Sequence, residues 1–521
     1  VSLKCWKGWK GIIFVPFLKN INSLNLRKES ESKMKNKNLI YTIMTITALV
    51  VAVALPQAQA QDKKEPNQIL ITNVSVWDGR SEAVKKGVDV LIEANLIKLV
   101  GAGIDAPKAH KVDGKGGTVI PGLIDMHAHH AIHEGMLEGR NSYDQMAIGA
   151  ISGLRLREYL DQGFTTSRDA GGNVLGLAKA VRLGRIPGPR IFPSGGFLSQ
   201  TGGHADTGLI TDQIGDVDIL ERSGFGYIVD GKTEARRAAR MNLRAGATQI
   251  KIMAGGGVAS EFDPIHTTQF SSEEIEAIVG VAEDYGTYVT MHAYHDRAVN
   301  RAIDAGVRCV EHNFLVSEKT IIRMKNENIA LSIQSVMSLE AFDPKNVEKI
   351  TFFSADQKAK ATMVNSGASQ MLKWALKHDI IMVTGGDMFD KANVNRQIDN
   401  ILWLKKVGFS NLQALKTATS SAGYVLSWSG GMNPYKDAYP GLSEEEKSKK
   451  GIGLGVVEEG AYADLLVIKG NPLEKLEMLK DRSNMQLIIK DGHVWKNTLV
   501  PPEHPYYAPP ERRAIMPSPV L

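Results

Sequence analysis

Residues 119–129 read Val119-Ile-Pro-Gly-Leu-Ile-Asp-Met-His127-Ala-His129. An aliphatic run ends in two histidines separated by one residue. Alternate side chains of an extended strand share a face, so both imidazoles can grip one metal ion from a strand end. The pair alone does not decide the matter, because His130 follows directly and histidines cluster here in any case. The rest of the chain has to supply the context.

Working outward, short apolar runs begin near Thr118, Thr165, Arg190, Thr248, Tyr288, Arg308, Ala330 and Ile380. Stretches of helical composition, such as 272–285 and 297–305, lie between them. Strand–helix alternation predicts parallel βα units. Eight such strands in roughly 300 residues predict an α/β fold with a (β/α)8 TIM-like barrel, whose functional residues sit at the C-terminal strand ends. That is where chemistry-bearing residues recur. His292 ends the run from Tyr288, His312 ends the run from Val307, and Asp387 ends the run from Ile380. Lys251 sits between isoleucines ahead of Gly255-Gly-Gly257, and a lysine buried there needs a partner or a shifted pKa. One metal site accounts for six polar residues at strand ends better than core packing does.

Short strands and turns mark both flanks of this region, at 69–79 and 88–95 and again at 455–468 and 486–495. They predict a composite β-sandwich from residues 67–120 and 450–497, around a barrel at 121–449. A Pro-rich tail fills 498–521, and the charged stretch 443–450 reads as a solvated loop or helix. There is no internal repeat.

The first 60 residues differ in character. Lys35 and Lys37 precede an apolar run from Leu39 to Leu55, and Ala58-Gln-Ala60 gives a small-x-small cleavage pattern. The expectation is a secretory signal peptide starting at Met34 and cleaved after Ala60, with a retained membrane anchor as the alternative, and a periplasmic or secreted mature protein. The leader also explains the formal net charge of +5. It carries nine Lys/Arg against two Asp/Glu, leaving 53 basic and 55 acidic residues in the remainder. Nucleic-acid binding therefore has no electrostatic support. Cys5 and Cys309 are the only cysteines, which excludes a disulfide scaffold and any Cys-rich metal cluster.

The motif Pro121-Gly-Leu-Ile-Asp-Met-His-Ala-His129, followed in order by Lys251, His292, His312 and Asp387, resembles the amidohydrolase superfamily, in particular its imidazolonepropionase-related and prolidase-like branch. The resemblance spans about residues 67–497. It implies a barrel with a β-sandwich from both termini and two divalent metal ions, zinc by preference. His127 and His129 match ligands of the more buried ion, and His292 and His312 ligands of the second. Lys251 matches a lysine carboxylated by CO2 to a bridging carbamate. Asp387 matches a metal ligand that also serves as general base. Such a site acidifies water, polarises a carbonyl and moves a proton to the leaving amine.

Two further residues follow from the resemblance. Tyr294, two residues beyond His292, matches a tyrosine that polarises the carbonyl oxygen. His204, in the Gly-rich stretch 199–208, matches a contact to the substrate α-carboxylate in dipeptidases. Arg168 and Asp169 are expected to be supporting, as is His295. The implied activity is hydrolysis of a C–N amide bond in a dipeptide, of Xaa-Pro or Xaa-Lys/Arg type, or in an N-acyl amino acid. A mononuclear imidazolonepropionase or deaminase is the alternative, against which Lys251 speaks. A non-catalytic binding relative would have lost ligands that this chain keeps. The partners expected are small molecules, with room for a homo-oligomer.

Overall fold

The computed structural model describes residues 67–132, 144–388, 394–504 and Ala508. The expected signal peptide, Met34, the cleavage site after Ala60 and most of the tail lie outside these residues. The first strands are β1 (Gln68–Val76), β2 (Lys85–Glu93), β3 (Leu96–Gly101), β4 (His110–Asp113) and β5 (Thr118–Pro121). Then come β6 (Leu123–Ala128), β7 (Phe164–Asp169), β8 (Arg190–Pro193), β9 (Phe197–Ser199) and β10 (Gly226–Ile228). The series continues through β11 (Ile250–Met253), β12 (Val289–Ala293), β13 (Cys309–His312), β14 (Ala330–Ile333) and β15 (Met382–Thr384). It closes with β16 (Leu465–Ile468), β17 (Met485–Lys490) and β18 (His493–Asn497).

Both ends of the described chain share one sheet, in the order β18-β17-β16-β5-β1-β2-β3, with β4 also on β1. The join is the antiparallel pair β5–β16, with Ile120 opposite Leu466 and Val119 opposite Val467. The sandwich expected from the sequence is thus one continuous hydrogen-bonded sheet. Its alternation buries Ile69, Ile71, Val90, Ile92, Val467 and Leu487 in a common apolar cluster, the source of its stability.

Strands lie at or near all eight expected starts, but the first run divides at Gly122: β5 joins the terminal sheet and β6 the central region. With the split third strand and an additional β10, the central strands form two parallel arcs, β6-β7-β8 and β10-β9-β11-β12-β13-β14-β15. The break has a local cause. The third strand is split by Ser194-Gly195-Gly196, where Gly195 has φ +74°. Its first half pairs with β7 and its second with β11. Backbone hydrogen bonds link the two arcs. Thr248 N–H donates to Pro193 O (2.7 Å), and Asp387 N–H donates to His127 O (2.7 Å). Every residue of β6, β7, β11, β12 and β13 is buried, as strands covered on both faces require.

Helices lie between the strands. Ser271 and Glu274 form a capping box ahead of the helix Ser272–Asp284, and Ser354 and Gln357 another ahead of Ala355–Lys377. The charged stretch after Ser443 is an exposed helix, Glu444–Lys450. No helix among the described residues is long and apolar enough to cross a membrane.

Candidate active site

The strand ends meet at one cavity of roughly 860 Å3, its open mouth included. Its lining contains every site residue expected from the sequence: His127, His129, His204, Lys251, His292, Tyr294, His312 and Asp387.

His127 and His129 project from the end of β6 toward Asp387, which follows β15. Asp387 Oδ1 lies 3.6 Å from His127 Nε2 and 3.2 Å from His129 Nε2. One ligand atom from each of the three falls within 4.8 Å of the others. The other ring nitrogens are occupied. His129 Nδ1 is 3.0 Å from the Gly171 carbonyl, and His127 Nδ1 is 2.7 Å from Glu311 Oε2. Each Nε2 is therefore the ring atom turned toward Asp387. Two imidazoles and a carboxylate with fixed orientation fit a divalent ion such as zinc.

The approach of β15 to β6 requires glycine at 385, where a Cβ would come within 2.6 Å of the His127 nitrogen. Asp387 itself has φ +53°, and its backbone is held by the bond to His127 O. His312 and Asn313 are also left-handed, at +72° and +64°. Such non-glycine conformations carry strain and concentrate at functional sites.

His292 and His312 stand 4.5 Å apart, centroid to centroid, and His312 lies 5.1 Å from His127. They sit beside the three-residue cluster. Tyr294 stacks on His312 at 5.3 Å. His204 stacks on His292 at 4.0 Å, and its Nδ1 lies 2.7 Å from Ser260 Oγ and 3.3 Å from Asp263 Oδ2. Gly257 makes room for this ring, since a Cβ there would overlap it.

Electrostatics favour donor forms in most of these groups; His129 is the exception, where burial would lower the pKa but Asp387 outweighs it and raises it. Burial pushes His127 down to about 4, aided by the nearby Lys251 charge. Burial likewise holds His292 and His312 well below the usual imidazole range. It also lowers Lys251, which is 1% exposed and makes no hydrogen bond or ion pair among the described residues. Burial would raise Asp387, but the imidazoles of His127, His129 and His312 outweigh it and keep the carboxyl ionised.

Supporting residues form a second network. Arg168, fully buried, donates Nη2 to Glu311 Oε1 (2.5 Å) and Nε to Met126 O (2.8 Å), and Thr290 also bonds Glu311. Asp169 accepts from His130 and Gly171 N–H groups. Arg168 and Asp169 thus take the supporting place that the sequence predicts for them. His295 lies outside the cavity lining, with Nε2 3.1 Å from Thr267 O. Sequence reasoning missed Glu311, Asp263 and Asp125. Asp125 bridges the two arcs by accepting from His127 N–H and Gly386 N–H at 2.9 Å. Its place two residues before His127, in the quoted motif, was the available signal.

Residues 118–431 match the model of the Amidohydrolase family. Ochratoxinase from Aspergillus niger is 28% identical over 438 residues, covering 79% of this chain and 84% of that protein. A crystal structure of a prolidase complexed with N-methylphosphonate-L-proline is 33% identical with a TM-score of 0.73, covering 83% of this chain and 100% of that one. A Xaa-Pro dipeptidase with methionine in its active site is 26% identical with a TM-score of 0.69, covering 82% and 100%.

Proposed function

The chain belongs to the amidohydrolase family and is a hydrolase acting on amide C–N bonds, and on that premise we propose that it is an exported, binuclear metal-dependent dipeptidase or N-acyl amino acid hydrolase. The observation that carries this is the convergence of His127, His129, Lys251, His292, His312 and Asp387 on one cavity. We read the two parallel arcs as one eight-stranded barrel, closed through Asp387 and His127. The relatives described as a prolidase and a Xaa-Pro dipeptidase support a peptide-like substrate. Export rests on the leader sequence.

In this reading His127, His129 and Asp387 would hold one ion and His292 and His312 the other, and Lys251, carboxylated by CO2, would supply anionic oxygen ligands. Bound there, two divalent ions supply Lewis acidity toward the scissile carbonyl and lower the pKa of water. The chain's own groups do the rest. Asp387, ionised and at the centre of the cluster, takes a proton from the attacking water and returns it to the leaving amine. Tyr294, whose hydroxyl burial holds well above its ordinary pKa, stays protonated and donates to the carbonyl oxygen. His204, its Nδ1 turned to Ser260 and Asp263, offers Nε2 to the substrate α-carboxylate.

One observation favours a second reading. The close donor cluster contains three residues, enough for a single ion, as in a mononuclear cyclic amidohydrolase. Assay of the metal-reconstituted mature protein against dipeptides, N-acyl amino acids and cyclic amides separates the two. Cleavage of the linear substrates is expected, and activity confined to cyclic amides would overturn the proposal.

A further inference from the structure

Consecutive backbone N–H groups tie the segment after β15 to β6. Asp387 N–H donates to His127 O at 2.7 Å, and Gly386 N–H donates to Asp125 Oδ1 at 2.9 Å. The same Oδ1 accepts from His127 N–H, also at 2.9 Å. One carboxylate oxygen thus holds the backbone on both sides of the seam. Rotation of that carboxylate would release both bonds together. Asp387 needs such a hold, because a non-glycine residue at φ +53° persists only where its surroundings over-determine it.

The other oxygen locks the rotation. Asp125 Oδ2 accepts from the Tyr159 hydroxyl at 3.0 Å, and that hydroxyl oxygen accepts from Gln397 Nε2 at 2.9 Å. Gln397 in turn packs on Gly386, where an added Cβ would lie 2.0 Å from Gln397 Oε1. Asp125, Gly386, Gln397 and Tyr159 therefore close a ring of three hydrogen bonds and one close contact. Two helices anchor it. Tyr159, on the helix Gln145–Asp161, meets His130 edge-on at 4.6 Å. Gln397 opens the helix Gln397–Lys406 and donates its N–H to Gln162 Oε1 at 3.1 Å. Asp125, Tyr159, Gln162 and Gln397 are each 1% exposed, so bulk water does not reach these bonds. A buried polar network with its partners in place rigidifies what it joins.

We propose that Tyr159 and Gln397 are positioning residues, which act through Asp125 to set the separation of His127 and Asp387 and thereby the grip of the His127, His129 and Asp387 cluster on a divalent ion. Neither side chain lines the cavity, so neither meets substrate. Their effect is on the backbone that carries the ligands, where a displacement of about 1 Å can cost on the order of 100-fold in rate. The inference rests on the reading that those three residues hold an ion.

Zinc affinity of the full-length apo protein, measured by competition with a chromophoric chelator, is the primary readout. Tyr159→Phe removes one hydroxyl and keeps the ring against His130, so the fold is retained. It should lower zinc affinity by about 10- to 100-fold, the range for partners behind metal ligands. It should also lower kcat and leave KM for a cleaved dipeptide unchanged. Gln397→Met should do the same. The double variant should lose little more than either single one, because each change opens the same ring. Wild-type zinc affinity and kcat in both variants, with only Tm lowered, would reduce the ring to packing and overturn the inference, as would losses that add in full. Zinc affinity unaffected by Asp387→Ala in an otherwise unaltered chain would overturn the three-residue site instead.

Discussion

Glu311 Oε2 lies 2.7 Å from His127 Nδ1, while Glu311 Oε1 takes the guanidinium of the fully buried Arg168 at 2.5 Å. Burial would raise this carboxyl, but Arg168 and His127 outweigh it and hold it well below the usual range. An ionised Glu311 fixes the tautomer of His127 with the proton on Nδ1, leaving the Nε2 lone pair on the side of Asp387 to bind a metal ion. Glu311→Gln is therefore expected to weaken metal affinity by roughly 10- to 100-fold, the usual cost of losing a carboxylate behind a ligating histidine. Chelator competition measures this directly. Unchanged affinity in a folded variant would remove Glu311 from the account.

Lys251→Ala should abolish most activity, with partial rescue by short carboxylic acids added in trans. In the proposed site a carbamate on Lys251 would supply oxygens where an ammonium could not. Lys251→Arg should remain inactive, because a guanidinium neither takes up CO2 nor coordinates a metal. An active arginine variant would end the bridging role.

His204→Ala should erase the discrimination between a free-acid dipeptide and its C-terminal amide. A charge-assisted hydrogen bond is worth about 1.5–3 kcal/mol, or roughly a 10- to 150-fold difference in kcat/KM for wild type. Equal rates for both substrates in the wild type would point to a general amidase.

How far the sequence could be read depends on where backbone alternation holds. His127 and His129 were legible because β6 is extended up to Ala128, so two-residue spacing means a shared face. Lys251, His292 and Asp387 were legible from their places relative to apolar runs. Glu311 was not. It precedes His312 directly, and strand alternation would send the two to opposite faces. His312 has φ +72°, which breaks the alternation and lets both side chains meet His127. Tyr159 and Gln397 were equally hidden. They join Asp125 through tertiary hydrogen bonds, and their positions carry no spacing that marks them. The split third strand was hidden for a similar reason: a Gly-Gly pair reads as a loop, and only the pairing partners reveal two halves of one strand.

Outside the site, pH should act through Asp491. Burial would raise its pKa, but Arg190 and Lys490 bring it down to about 2. The folded value lies below that of the unfolded chain, so the stabilisation is complete above about pH 4 and is lost as pH falls toward 2. Asp491 keeps 31% of its side chain exposed, and screening reduces the effect to on the order of 1 kcal/mol. Asp491→Asn should lower the denaturation midpoint at pH 7, and the gap to wild type should close between about pH 4 and 2. A gap independent of pH would show that the charge of Asp491 contributes nothing. Arg190 is also paired with Asp464, at 3.0 Å.

The central claim is a two-ion site built from His127, His129, Lys251, His292, His312 and Asp387. Elemental analysis of the apo protein titrated back to full amidase activity tests it most directly. The account predicts that activity saturates at two divalent ions per chain. Full activity at one ion per chain, with no further binding, would contradict it.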